Sequence, residues 1–166
     1  MKNKTAYFGV YIALALVLSY VEALIPISFG VPGIKLGLAN LIIVIALYKS
    51  ERAYNALIIS VIRIILSGFM FGNMFAIIYS MAGGVLSFIV MAFLKKRNSF
   101  SIMGVSIAGG VFHNLGQLII AMIVVESYKI GFYFPVLLVA GLVTGALIGI
   151  VAGEVLKRIK SIPMMK

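Results

Sequence analysis

The sequence predicts an all-α integral membrane protein, a bundle of six transmembrane helices. Three observations lead there: hydrophobic residues make up 63% of the chain against 11% charged, the mean hydropathy is +1.20, and the basic residues gather in alternate connections between apolar runs. An average soluble domain carries about 25% charged residues, so the composition excludes a water-soluble fold. Spans of about 20 residues joined by short loops use up a chain of 166 residues, which predicts a single transmembrane domain over residues 1–166 with no separate soluble catalytic part.

Hydropathy and helix breakers divide the chain into spans over about 7–25, 36–48, 53–67, 74–94, 102–125 and 135–156. The first cannot be a signal peptide: Lys2 and Lys4 give it a positive start, but its apolar stretch is too long and further spans follow. The second and third are short for a crossing of about 30 Å, and each has to borrow flanking residues or end as a re-entrant stretch. If the N-terminus starts in the cytoplasm, one side receives Lys2, Lys4, Lys49, Arg52, Lys95, Lys96, Arg97, Lys157, Arg158, Lys160 and Lys166. The opposite loops hold only Lys35 and Lys129, and Arg63 lies inside a span. This asymmetry predicts a cytoplasmic-membrane protein with both termini in the cytoplasm, and an odd number of spans would scramble it. The net charge of +10 therefore reads as membrane orientation rather than nucleic-acid binding, whose basic patches sit on soluble surfaces.

Chemistry is restricted by what is missing. Cysteine and aspartate are absent, and the four acids Glu22, Glu51, Glu126 and Glu154 are scattered. Thiolate and carboxylate metal sites have almost nothing to build on, a lone histidine makes a poor metal ligand set, and there is no Walker motif. The expectation is a non-enzyme without cofactor or metal.

In the last span Gly141, Gly145, Gly149 and Gly153 recur every fourth residue, a narrow face that lets another backbone approach closely. It fits a neighbouring helix of the same chain or a partner subunit. The first span has a milder version in Gly9 and Ala13, with Ala15 and Ser19 beside it. Gly131, Phe132, Tyr133 and Phe134 suit an interfacial aromatic belt.

Ionisable groups at membrane depth need a partner or a function. Topology places Glu22, Lys35 and Arg63 toward the same outer side. Glu22 and Arg63 can neutralise one another, or Arg63 and Lys35 can form a positive recess for a carboxylate or phosphate, since a guanidinium holds either through two hydrogen bonds. In the fifth span His113, Asn114 and Gln117 form a second group, with His113 and Gln117 on one face. They serve either as hydrogen-bonding glue between helices or as ligand contacts. Asn40 and Asn73 are helix caps or pocket lining.

The run EALIPISFGVPGIKLGLAN from Glu22 to Asn40 and GVFHNLGQ from Gly110 to Gln117 resemble the small membrane family called Gx transporter or heptaprenyl diphosphate synthase component I, over nearly the whole chain. That family is in turn similar to the substrate-binding S components of energy-coupling-factor (ECF) transporters. The resemblance implies a six-helix fold with a recess opening outward, with Glu22, Lys35, Asn40, Arg63, His113, Asn114 and Gln117 around it. Gly9, Ala13 and Ala15 only approximate the small residues that S components offer a coupling subunit. The expected function is an S-component-like subunit that recognises a small anionic or isoprenoid-related molecule from outside. Its partners would be membrane lipid, the ligand, and separate coupling and ATPase subunits. The alternative is a non-catalytic accessory protein of isoprenoid, quinone or membrane redox metabolism, partnered with an enzyme of that chemistry. Prenyl chain elongation itself needs magnesium held by clustered carboxylates, which this chain lacks.

Overall fold

The computed structural model describes residues 2–25 and 37–159, with side chains from Thr5 onward. Lys35 and the prolines of the first connection, together with Lys160 and Lys166, lie outside the described residues. Six α-helices follow one another: α1 (Lys2–Leu24), α2 (Leu38–Lys49), α3 (Tyr54–Phe71), α4 (Met74–Arg97), α5 (Ile102–Val124) and α6 (Phe134–Arg158), with a 3-10 turn at Tyr128–Tyr133 before α6. Five of them are long and apolar enough to cross a membrane, and α2 is the exception. The protein is thus a multi-span all-α membrane protein.

α2 has 12 residues, about 18 Å of helix against a hydrocarbon core of about 30 Å. It is apolar on every side, and Ala39 together with the run Ile42–Leu47 is buried. A helix hydrophobic all round belongs in an interior, and α1, α3 and α6 pack around this one. The remaining helix neighbours are α1 with α3, α3 with α4, α4 with α5 and α5 with α6, so α2 joins the α1–α3 side of the bundle to α6. The apolar side chains left outside, such as Val17, Phe69, Ile89, Val139 and Ile150, are exposed, as lipid-facing positions must be.

α3 runs to Phe71, four residues past the stop expected at Ser67. Gly68 reads as a breaker in the sequence, but it lies buried inside the helix, and a Cβ there would collide with Ile77 of α4. It is a contact residue, and the helix continues through it.

The glycines of α6 form a ladder on α5. A Cβ added at Gly141 would lie 2.9 Å from Val111 Cα, at Gly145 2.7 Å from Ile107 Cα, and at Gly149 2.7 Å from Met103 Cα. The partners descend by four residues as the glycines ascend by four, as two antiparallel helices in close backbone contact require. Gly153 meets nothing within 4 Å. The next rung would fall at position 99, and α5 begins only at Ile102. On its other face α5 presses Gly116 onto the backbone of Ala82 and Gly83 in α4, so α5 is wedged between two helices.

In α1 the inward positions are Ala15, fully buried, and Ser19, 8% exposed. Gly9 and Ala13, expected as a packing or partner face, are exposed, and a Cβ at Gly9 would meet nothing within 4 Å among the described residues.

A leucine at Gly145 has no room between two backbones. Gly145→Leu is expected to lower stability by about 1–3 kcal/mol, as overpacking does, whereas Gly153→Leu is expected to stay within about 0.5 kcal/mol of wild type. Thermal unfolding of the detergent-solubilised protein, followed by size-exclusion chromatography, distinguishes the two.

Candidate functional site

The recess lies at the end of the bundle where α2 begins. α2 starts at Gly37, whose φ of 73° is in the left-handed region that glycine tolerates best. Its first N–H groups lack intrahelical partners. The Gly37 N–H donates to Glu22 Oε1 of α1 at 2.5 Å. An acid at a helix N-terminus is favourable, and this contact gives Glu22 a structural reason to lie at membrane depth.

Around that start the structure encloses a recess of about 110 Å³. Its polar lining is Ser19 and Glu22 from α1, Asn40 from α2, Arg63 and Ser67 from α3, Ser80 from α4, and His113 and Gln117 from α5. Apolar wall is supplied by Ala23, Ala39, Ile64, Phe71 and Ala76. A cavity of about 150 Å³ takes a benzene-sized guest, so the recess encloses a compact solute or several waters.

Arg63 is the recess's positive group. Its Nη2 donates to Asn40 Oδ1 at 3.4 Å, a long bond. Its Nε is shut away from solvent with no hydrogen-bond partner, although the residue as a whole keeps partial exposure to the recess. A guanidinium carries five N–H donors and stays charged, and most of that capacity is unused by the described residues. Among the described residues the ion pair present is Lys157–Glu154, on the surface. The direct Glu22–Arg63 bridge, one of the two readings of the sequence, is not formed, because Glu22 turns to the α2 backbone.

His113 and Gln117 reach the recess because Gly83 of α4 has no side chain. A Cβ there would lie 2.7 Å from the His113 carbonyl oxygen and 2.9 Å from Gln117 Cγ. Asn114 points elsewhere: its Nδ2 donates to the Leu137 carbonyl of α6 at 2.7 Å, and it does not line the recess. Asn73 caps α4 by accepting from the Ala76 N–H at 2.8 Å. Lys35 lies outside the described residues. The recess thus brings together Glu22, Asn40, Arg63, His113 and Gln117 from the sequence candidates and adds Ser19, Ser67 and Ser80. The sequence gives those serines little signal, since a hydroxyl in a helix commonly bonds its own backbone, as Ser67 does to the Ile64 carbonyl at 3.2 Å.

A smaller space of about 20 Å³ adjoins through Gly37 and Asn40, lined by Ser87, Ser106 and Thr144. It is the size of one or two waters. Beyond it the bundle is shut by the core that includes Val44, Met91, Val105 and Ile148.

Asn114→Leu is expected to destabilise the α5–α6 contact by about 1 kcal/mol, the usual worth of an interhelical hydrogen bond, while leaving ligand occupancy of the recess unchanged. Thermal unfolding and native mass spectrometry of the variant check both halves.

No curated protein and no solved structure matches the chain. Residues 11–155, which include all six helices in whole or large part, match the family described as heptaprenyl diphosphate synthase component I. The chain belongs to the heptaprenyl diphosphate synthase component I family.

Proposed function

We propose that this protein is an S-component-like membrane subunit that binds a small molecule in the recess at the start of α2 and passes it on with the help of separate partner proteins. The observation that carries this reading is Arg63, a permanent charge at membrane depth that lines a polar recess and, among the described residues, forms no direct ion pair. Intramembrane charges either pair or serve a ligand or ion path, and here pairing by the described residues is incomplete. A helix that begins partway through the bundle, beside the site, is a recurrent way to build binding sites in transporters.

The basic residues support the orientation. Lys95, Lys96 and Arg97 close α4, and Lys157 and Arg158 close α6, all at the end opposite the recess. With that end in the cytoplasm, the recess opens outward and the packed core closes the inner half. Any energy from ATP comes from another polypeptide, since the chain has no nucleotide-binding motif.

The accessory reading, a holder of isoprenoid or quinone for a partner enzyme, takes its support from the family's description. The recess favours the first reading: it is small and half its lining residues are polar, whereas a polyprenyl chain needs a long apolar slot. Catalysis of prenyl transfer by this chain finds no support in an acid inventory of four separated glutamates.

Native mass spectrometry of the protein extracted in mild detergent is expected to show a bound small molecule in wild type and its loss in Arg63→Ala, with the variant still monodisperse. An adduct that survives Arg63→Ala removes the recess as the binding site. Cysteine placed at Lys96 is expected to be labelled only by reagents with access to the cytoplasm, and labelling from outside would invert the orientation.

A further inference from the structure

The charges around the recess narrow what it accepts. Resting on the binding reading above, we infer that the ligand is a compact oxyanion with one negative charge, a small carboxylate carrying further hydrogen-bonding groups, rather than a diphosphate or a prenylated chain.

Charge comes first. Among the described residues the lining contains one cation, Arg63, and one anion, Glu22. Glu22 accepts from the Gly37 N–H, so its charge faces the N-terminal dipole of α2, equivalent to roughly half a positive charge. Arg63 is met by an amide oxygen at 3.4 Å and its Nε by nothing. Summed over the described residues, Arg63, Glu22 and the helix dipole leave about half a positive charge to compensate. A phosphate monoester already brings about 1.5 to 2 negative charges at neutral pH, and a diphosphate brings more. Beside a carboxylate in a poorly hydrated setting, that surplus is strongly unfavourable. A carboxylate brings one charge in the planar geometry that matches the guanidinium fork.

Size points the same way. A recess of about 110 Å³ is smaller than the cavity of about 150 Å³ that takes benzene, so it encloses no more than about six non-hydrogen atoms. That is one isoprene unit, with no room for a head group as well. The remaining lining is neutral and polar on several sides at once: Ser19 and Asn40 come from one flank, Ser67 and Ser80 from another, and His113 and Gln117 from a third. The Ser19 hydroxyl is buried without a hydrogen-bond partner. An alkyl body would leave such groups unsatisfied. Hydroxyl or amide groups on the ligand satisfy them.

The test uses the full chain in detergent, with and without added phosphatidylglycerol. Material released by denaturing wild type, and absent from Arg63→Gln prepared in parallel, is identified by accurate mass. The expected product has a single acidic group and about ten or fewer non-hydrogen atoms. In thermal-shift titrations with acetate, lactate, glycerate, inorganic phosphate, pyrophosphate and isopentenyl diphosphate, lactate or glycerate is expected to raise the melting temperature by several degrees. Arg63→Gln abolishes that rise, and pyrophosphate and isopentenyl diphosphate give no more than chloride at equal ionic strength. Release of a prenylated, diphosphorylated or neutral compound in an Arg63-dependent way overturns the ligand class and leaves the binding reading standing. So does a stabilisation seen only with phosphatidylglycerol, which identifies a lipid phosphodiester as the oxyanion. A blank across the carboxylates also overturns the class. Identical released material from wild type and Arg63→Gln overturns the binding reading itself.

Discussion

The backbone of α2 has to be satisfied at both ends, its start at membrane depth, and much of the molecule is arranged around that requirement. A helix of 12 residues falls about 12 Å short of the hydrocarbon core, and hydrocarbon offers its terminal N–H and C=O groups no partners. The protein supplies charges of the favourable sign instead. At the N-terminus Glu22 of α1 accepts from the Gly37 N–H, and at the other end Lys95 Nζ of α4 donates to the Leu47 carbonyl at 2.5 Å while lying over the Tyr48 ring. An acid at the start and a cation at the finish both oppose the helix dipole. Glu22, which looks expensive in a span, and Lys95 at the cytoplasmic end are both explained by one short helix, which they also fix in register against α1 and α4.

The same shortness creates the recess. The volume that a full-length second helix would occupy near its start is bordered instead by Ser19, Arg63, Ser80, His113 and Gln117, contributed by four different helices. Their positions depend on how closely those helices pack. α5 is held on one side by the glycine ladder of α6 and on the other by Gly83 and Gly116 at α4, so the helix presenting His113 and Gln117 has backbone neighbours on two faces. Sites carried on rigid elements hold their geometry better than sites carried on loops. The glycine faces and the polar site are thus successive links in one chain of cause, in which small residues set helix spacing and spacing sets where the polar groups meet.

Much of this was legible in the sequence, for identifiable reasons. Apolar run length and the placement of lysine and arginine follow from the bilayer as solvent, so six helices could be located, with the second and third both marked as short although only α2 is. Glu22 and Arg63 stood out because charge in a span is costly. Their relation did not, since two opposite charges facing the same region read equally well as a pair or as separate groups. The deciding partner of Glu22 is a backbone N–H, which every residue except proline possesses and no motif advertises. Gly153 continues the spacing of Gly141, Gly145 and Gly149 but has no rung to meet, because contact depends on where the neighbouring helix starts. The third span reads as ending at Ser67 because the sequence does not reveal that Ile77 of α4 packs against Gly68, through which the helix continues. Ser19, Ser67 and Ser80 carried no signal, since serine in a helix is as often bonded to its own turn as to anything else.

Committing Glu22 to α2 has a further consequence for Arg63. Had the two residues formed a direct bridge, the outer half of the bundle would hold a neutral pair, and a ligand would have to displace one partner from the other at the cost of leaving a buried charge uncompensated. With Glu22 held by Gly37, the guanidinium keeps its charge and most of its donors without any protein group having to be moved aside. Binding of a single oxyanion then replaces water or a long amide contact by a charge-assisted hydrogen bond, roughly twice as strong as a neutral one, and leaves the α2 terminus undisturbed. The short helix therefore does more than open a space: by occupying the one nearby carboxylate, it leaves the space electrostatically unfinished.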